Sequence, residues 1–104
     1  MPANDFNAQE PDPNEKIKEF CTSKYNVTFP MLAKVSVAPG KDQCELYKFL
    51  TSKDTNPKFS GKIKWNFEKI IIGRNGEVAN RFEPKVKPDS DEFVKAIEAE
   101  LDKK

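Results

Sequence analysis

The sequence predicts a single domain mixing helices and strands, of α/β or α+β type. Three observations carry that expectation. Three stretches place apolar residues at helical spacing. Two runs of strand-formers flank an Asn-Gly pair, a strong hairpin signal. The elements alternate in the order loop, helix, strand, helix, hairpin, helix, with no internal repeat. The 104 residues suffice for one domain.

The first twelve residues read as a loop, because Pro2, Asn4, Asp5, Asn7, Pro11 and Asp12 all disfavour regular structure. A helix is expected to start near Asp12. Asp12 can cap it, Pro13 fits the first turn, and Glu15 stands where a capping box needs it. Ile17, Phe20 and Cys21 share its apolar face, and it is expected to fray around Ser23–Asn26. The run from Phe29 to Val37 ends in a strand-like stretch closed by Pro39-Gly40. Gln43 to Ser52 reads as a second helix, with Leu46, Phe49 and Leu50 turned inward. A polar loop from Thr51 to Lys62 carries Pro57 and Gly61. The hairpin follows, with arms Phe67–Ile72 and Val78–Phe82 around Arg74-Asn75-Gly76. Pro84 and Pro88 flank a linker. The last helix is expected to start near Asp89 or Ser90 and to bury Phe93, Val94, Ile97 and Leu101, with Lys103-Lys104 suiting its C-terminal dipole.

Composition excludes several functions. Only 37% of residues are apolar and 34% are charged, so any core is small. Net charge is +1 with acids and bases intermingled, which argues against a nucleic-acid footprint. No apolar run approaches the roughly 18 residues that read as a membrane span. No signal peptide is recognisable after Met1, and a cytoplasmic location is expected, although any targeting segment of a longer chain would precede Met1. There is no histidine, which removes the commonest general base and metal ligand and, with them, a Ser or Cys protease triad. Two cysteines, Cys21 and Cys44, are too few for a zinc site, and a disulfide between them is disfavoured in a cytosolic chain. Neither a metal nor a cofactor is expected. Asn26-Val27-Thr28 matches a glycosylation acceptor, read here as chance because no secretory leader precedes it.

The stretch Lys62-Ile63-Lys64-Trp65-Asn66-Phe67-Glu68-Lys69 concentrates the chemistry. It holds the single tryptophan. An indole N–H beside a primary amide, at the mouth of a strand, makes a pair of donors suited to stabilising an anion. A lone tryptophan on a strand is more often core, and Cys21 alone reads as a small buried hydrophobe.

Three blocks, in register, resemble the glutathione peroxidase family. They are Pro2-Ala3-Asn4-Asp5-Phe6-Asn7-Ala8-Gln9-Glu10-Pro11, similar to the family's P-x-N-Q-F-x-x-Q-E-P motif; Glu15 to Cys21 followed by Tyr25-Asn26-Val27-Thr28-Phe29-Pro30; and Ile63 to Lys69. The resemblance runs from Pro2 to about Leu101. It implies an α/β, thioredoxin-like fold and a peroxidase that reduces hydroperoxides with a cysteine or selenocysteine. In such a site Gln9, Trp65 and Asn66 would surround the nucleophile, and Cys21 matches the resolving cysteine of members that use thioredoxin-type reductants. The short link from Leu50 to Trp65 resembles the monomeric members. A thioredoxin-type donor is therefore expected over glutathione, and a monomer for the full-length protein.

The departures shape the expectation. The family's nucleophile lies in a strand-to-helix turn upstream of the first block, so this chain is expected to be the C-terminal part of one domain, lacking the N-terminal strands, the first helix and the nucleophile. Alone it should be marginally stable and inactive. Asp5 stands where the family usually has glutamine, which is read as a surface change, and Cys44 has no role to carry over. The alternative is a truncated, non-catalytic thioredoxin-like binding module that dimerises through exposed sheet edges.

Overall fold

A computed structural model describes residues 1–103; Lys104, half of the expected basic helix end, lies outside the described residues. The chain forms two compact units, Met1–Cys44 and Glu45–Lys104. The element order is α1 (Asn14–Tyr25), α2 (Glu45–Thr51), β1 (Lys69–Ile72), β2 (Val78–Phe82) and α3 (Asp91–Asp102).

In the first unit, α1 begins two residues later than Asp12, and no side chain caps it. Pro13 is the N-cap, and its carbonyl accepts from the Lys16 and Ile17 N–H groups. The capping box expected from Asp12 and Glu15 does not form. Its other end is sharper than expected. Asn26 adopts a left-handed conformation and donates to the Thr22 carbonyl, while Val27 donates to Cys21, so the helix is capped instead of frayed. Of the predicted apolar face only Ile17 is buried; Cys21 is half-buried and Phe20 is exposed, edge-on to Tyr25.

The strand expected within Phe29–Val37 is reduced to a single bridge between Ser36 and Gln43. Strand formation needs a partner edge, and the backbone donors here are satisfied otherwise. Val35 donates to the Pro2 carbonyl, and Val37 and Ala38 donate to the Asp5 carboxylate. Lys34 adds a second tie, its ammonium donating to the carbonyls of Glu10 and Asp12 and its N–H to Asn14 Oδ1. The first unit is thus held by side chains reaching backbone across about 20 to 33 residues, with one buried helix position beneath them.

In the second unit, α2 is shorter than the predicted Gln43–Ser52, and Leu46 and Phe49 are exposed; Leu50 alone is buried. Asn56, a buried polar residue, secures the following loop. Its amide donates to the Leu50 carbonyl and its Oδ1 accepts from Phe59 N–H.

The hairpin forms as predicted, although β1 starts at Lys69 instead of Phe67. Lys69 faces Phe82, Ile70 faces Arg81 and Ile71 faces Asn80; an irregularity then shifts Ile72 opposite Val78. The connecting loop closes through Gly76 N–H to Gly73 O and Gly73 N–H to Glu77 O. Within the Asn75-Gly76 pair only Gly76 has positive φ, so glycine supplies the left-handed step.

Helix α3 starts where predicted, with Ser90 as N-cap by position but not by side-chain hydrogen bond. Phe93 meets Phe82 of β2 edge-on at 5.2 Å, and Arg74 donates to the Leu101 carbonyl at the helix's negative end. Its predicted stripe is not buried: Val94, Ile97 and Leu101 are exposed. Among the described residues, the buried apolar residues are Ile17 and Val37 in the first unit and Leu50 and Ile63 in the second. No helix among the described residues is long and apolar enough to cross a membrane.

Candidate functional site

Gln9 belongs to the first unit, where it is exposed at the end of a tight turn. Two consecutive non-glycine residues, Asn7 (φ 59°) and Ala8 (φ 46°), are left-handed there. That conformation costs an ordinary L-residue roughly 1–2 kcal/mol. Two neighbours hold the turn. Asn4 Oδ1 accepts from Glu10 N–H at 2.8 Å, closing the loop around Gln9. The Asp5 carboxylate accepts from Ser36 Oγ, Val37 N–H and Ala38 N–H at 2.8–2.9 Å. Asp5 is therefore no incidental surface change: it is an anchor between the turn and the 36–38 segment. Burial pushes its carboxyl up, but the hydrogen bonds from Ala38, Ser36, Val37 and its own N–H outweigh that and hold it below the ordinary value of 3.8.

Trp65 and Asn66 lie together in the second unit, in the turn that leads into β1. Trp65 is 47% exposed and Asn66 is half-buried. The next residue, Phe67, is left-handed (φ 65°) and 81% exposed, an uncommon conformation for an aromatic residue.

Three charged side chains hold this turn. Glu68 Oε1 accepts from Lys64 N–H at 3.0 Å, spanning Trp65 and Asn66. The Lys69 ammonium donates to the Phe67 carbonyl at 2.7 Å and to Pro84 O at 3.1 Å. Arg81, from β2, reaches Glu68 through Nε and a terminal nitrogen, and donates to the carbonyls of Phe59, Gly61 and Lys62 at 2.7–3.0 Å. All five guanidinium donors are used. Gly61 (φ 115°) supplies a backbone direction that a side chain would strain.

Cys21 and Cys44 are half-buried free thiols. No group of metal-ligating side chains is present among the described residues. The motif reading singled out Gln9, Trp65 and Asn66 and gave no part to Asp5, Glu68, Lys69 and Arg81, which hold the turns around them. One signal was available for Arg81: a charge within the short strand Val78–Phe82 needs a partner if that strand is covered.

The model of the family described as glutathione peroxidase matches residues 1–51. Glutathione peroxidase homolog BsaA of Bacillus subtilis is 42% identical over 100 residues, covering 94% of this chain and 62% of the relative. Hydroperoxy fatty acid reductase Gpx2 of Synechocystis is 43% identical over 101 residues, covering 97% and 61%. The chain belongs to the glutathione peroxidase family. The crystal structure of Trgpx in apo form superposes with a TM-score of 0.54 at 29% identity, over 81% of this chain and 67% of that one. The chain spans 61–63% of the length of curated relatives such as these.

Proposed function

We propose that this chain is the C-terminal part of a thioredoxin-like glutathione peroxidase domain, and that the whole domain reduces hydrogen peroxide or organic and lipid hydroperoxides in the response to oxidative stress. Backbone strain beside the donors is the observation that carries the reading. Among the described residues four non-glycine residues have positive φ; Asn7, of a type that enters this region readily, and Ala8 and Phe67, which do so at a cost, flank Gln9 or Trp65-Asn66. Strained positions persist where surrounding bonds over-determine them, and they cluster at functional sites. The fourth, Asn26, is an ordinary helix cap.

In this reading a cysteine thiolate or selenolate from sequence outside the chain attacks the terminal oxygen of the hydroperoxide. The O–O bond breaks, the alkoxide leaves and takes up a proton, and the sulfur or selenium is oxidised by two electrons. Donors from Gln9, Trp65 and Asn66 favour the anionic nucleophile and stabilise the departing oxygen. The Cys21 thiolate then attacks the sulfenic sulfur, hydroxide leaves as water, and a disulfide forms. A thioredoxin-type dithiol returns the two electrons, with glutathione the less favoured donor. Cys21 sits inside α1, so that helix must open locally for its sulfur to reach. The relatives' names, from hydroperoxy fatty acid reductase to thioredoxin/glutathione peroxidase, fit the substrate and donor classes.

The test is turnover by the whole domain, obtained by reading the coding DNA in frame upstream of Met1. Asn66→Ala and Trp65→Phe should each lower kcat/KM for a hydroperoxide by roughly 10²- to 10³-fold with the fold intact. Values within about threefold of the parent for both would overturn the role of the donors. The 104 residues alone should show no turnover above a free-thiol control.

A second reading, a binding module that pairs through its sheet edges, is favoured by the two-stranded sheet, in which each described strand has one neighbour only. Size-exclusion chromatography beside the turnover assay separates the two: a dimer without activity in the whole domain supports the module.

A further inference from the structure

We infer that Arg81 and Glu68 are positioning residues, a buried fork that fixes the direction in which the Trp65-Asn66 turn presents its donors. This rests on the peroxidase reading for its purpose, but its geometry stands separately. The turn has strand on one side only, β1 from Lys69, and on the other side runs irregular chain from Ser52 to Glu68. Irregular backbone carries no ladder to orient it. Here a single guanidinium takes that part. Arg81 is rooted in β2 opposite Ile70, so its base moves only with the hairpin.

Its planar fork ties carbonyls at Phe59, Gly61 and Lys62 on the approach to the turn. The same group holds the Glu68 carboxylate on the exit, and Glu68 returns to Lys64 N–H. Residues 59–68 are thereby closed into a ring of hydrogen bonds with Trp65 and Asn66 at its crest.

The side chains of the pair are 12% and 3% exposed, so solvent screens the interaction little. Lysine cannot replace this arginine: it has three donors at one point and no plane. The fork therefore makes a geometric demand, beyond the charge it neutralises.

Trp65 is the single tryptophan, so its fluorescence reports the turn directly and needs no turnover. The 104-residue chain is compared with Arg81→Lys and with the double variant Arg81→Met/Glu68→Met, reading acrylamide quenching and anisotropy decay of Trp65. Amide exchange in β1 and β2 measures the hairpin in the same samples. The double variant removes both buried charges, which often restores stability, while deleting every bond of the fork. The expected result is a protected hairpin in both variants, with a fast anisotropy component and quenching raised roughly twofold. Parental Trp65 signals in both variants would overturn the inference. So would a double variant that restores hairpin protection and Trp65 rigidity together, since the pair would then be stabilising only. An inactive whole domain would leave these fluorescence results intact, so failure of the peroxidase reading is seen separately.

Discussion

The two units of this chain are ordered by different devices. In Met1–Cys44 the backbone is tied by side chains: Asp5 holds three donors of the 36–38 segment, and Lys34 and Asn14 join the start of α1 to the chain 20 residues on. In Glu45–Lys104 a hairpin ladder supplies regular order, and a buried arginine passes it to the irregular loop. The first device leaves its ties part-exposed and individually replaceable. The second concentrates five bonds on one group, so a single change removes them all. The candidate site residues are placed accordingly. Gln9 rides on a turn held by Asn4 and the Asp5 carboxylate, and Trp65-Asn66 on a turn held by Glu68, Lys69 and the Arg81 guanidinium.

The sharpest way to break this comparison is Glu68→Ala. It leaves the Arg81 guanidinium buried without its counter-charge and frees the Lys64 N–H. Removing one partner of a buried pair costs about 3–5 kcal/mol. Amide exchange should accelerate throughout β1 and β2, while Val37 and Ala38 in the first unit keep their protection. If both units lose protection equally, the two do not behave as separate energetic regions.

Asp5 supplies the converse and smaller effect. Asp5→Ala strands two backbone N–H groups and a serine hydroxyl, at about 1–3 kcal/mol. Exchange should accelerate at Val37 and Ala38 but not in the hairpin. Acid should imitate the mutation. The folded Asp5 carboxyl titrates below its ordinary value of 3.8. Its contribution is therefore complete well above that value, begins to fall as pH drops through it, and is lost below the folded pKa. An NMR titration of the Ser36–Ala38 amides reads this directly. A midpoint above 3.8 would contradict the anchoring role.

Legibility followed the range of the forces. The hairpin and the start of α3 were legible because their signals are local: an Asn-Gly pair between strand-formers, and Ser90 before an apolar period. The Phe29–Val37 run was not, because a strand is defined by its partner and here pairing stops at the single bridge from Ser36 to Gln43. The first predicted helix was right in kind, but its cap was not, since Pro13 and Asn26 took the positions assigned to Asp12 and to fraying. The motifs pointed to Gln9, Trp65 and Asn66 as candidates. They could not locate what holds them. Asp5 acts 31 to 33 residues away, and Arg81 acts 13 to 22 residues away. Such pairings leave no local period. The inward stripes failed for one physical reason: Leu46, Phe49, Val94 and Ile97 have the right spacing but meet too little apolar surface within this chain to be covered.

The smallest effect bears on the strain itself. Phe67 holds φ 65° beside the donor pair, with its ring 81% exposed. Phe67→Gly removes the steric cost of the left-handed conformation, about 1–2 kcal/mol for an L-residue. It also gives the unfolded chain more freedom, which returns about 0.4–1 kcal/mol. Little apolar burial is lost because the ring is in solvent. The Lys69 bond to the residue-67 carbonyl is a backbone contact and survives the change. The net expectation is a second unit slightly more stable, by about 0.5–1 kcal/mol, seen as slower amide exchange in β1. In the whole domain the same variant should turn over more slowly, because a glycine frees the backbone next to Asn66. Stability and turnover rising together would mean that the left-handed step plays no part in presenting the donors, and would leave their orientation to the ties from Arg81, Glu68 and Lys69.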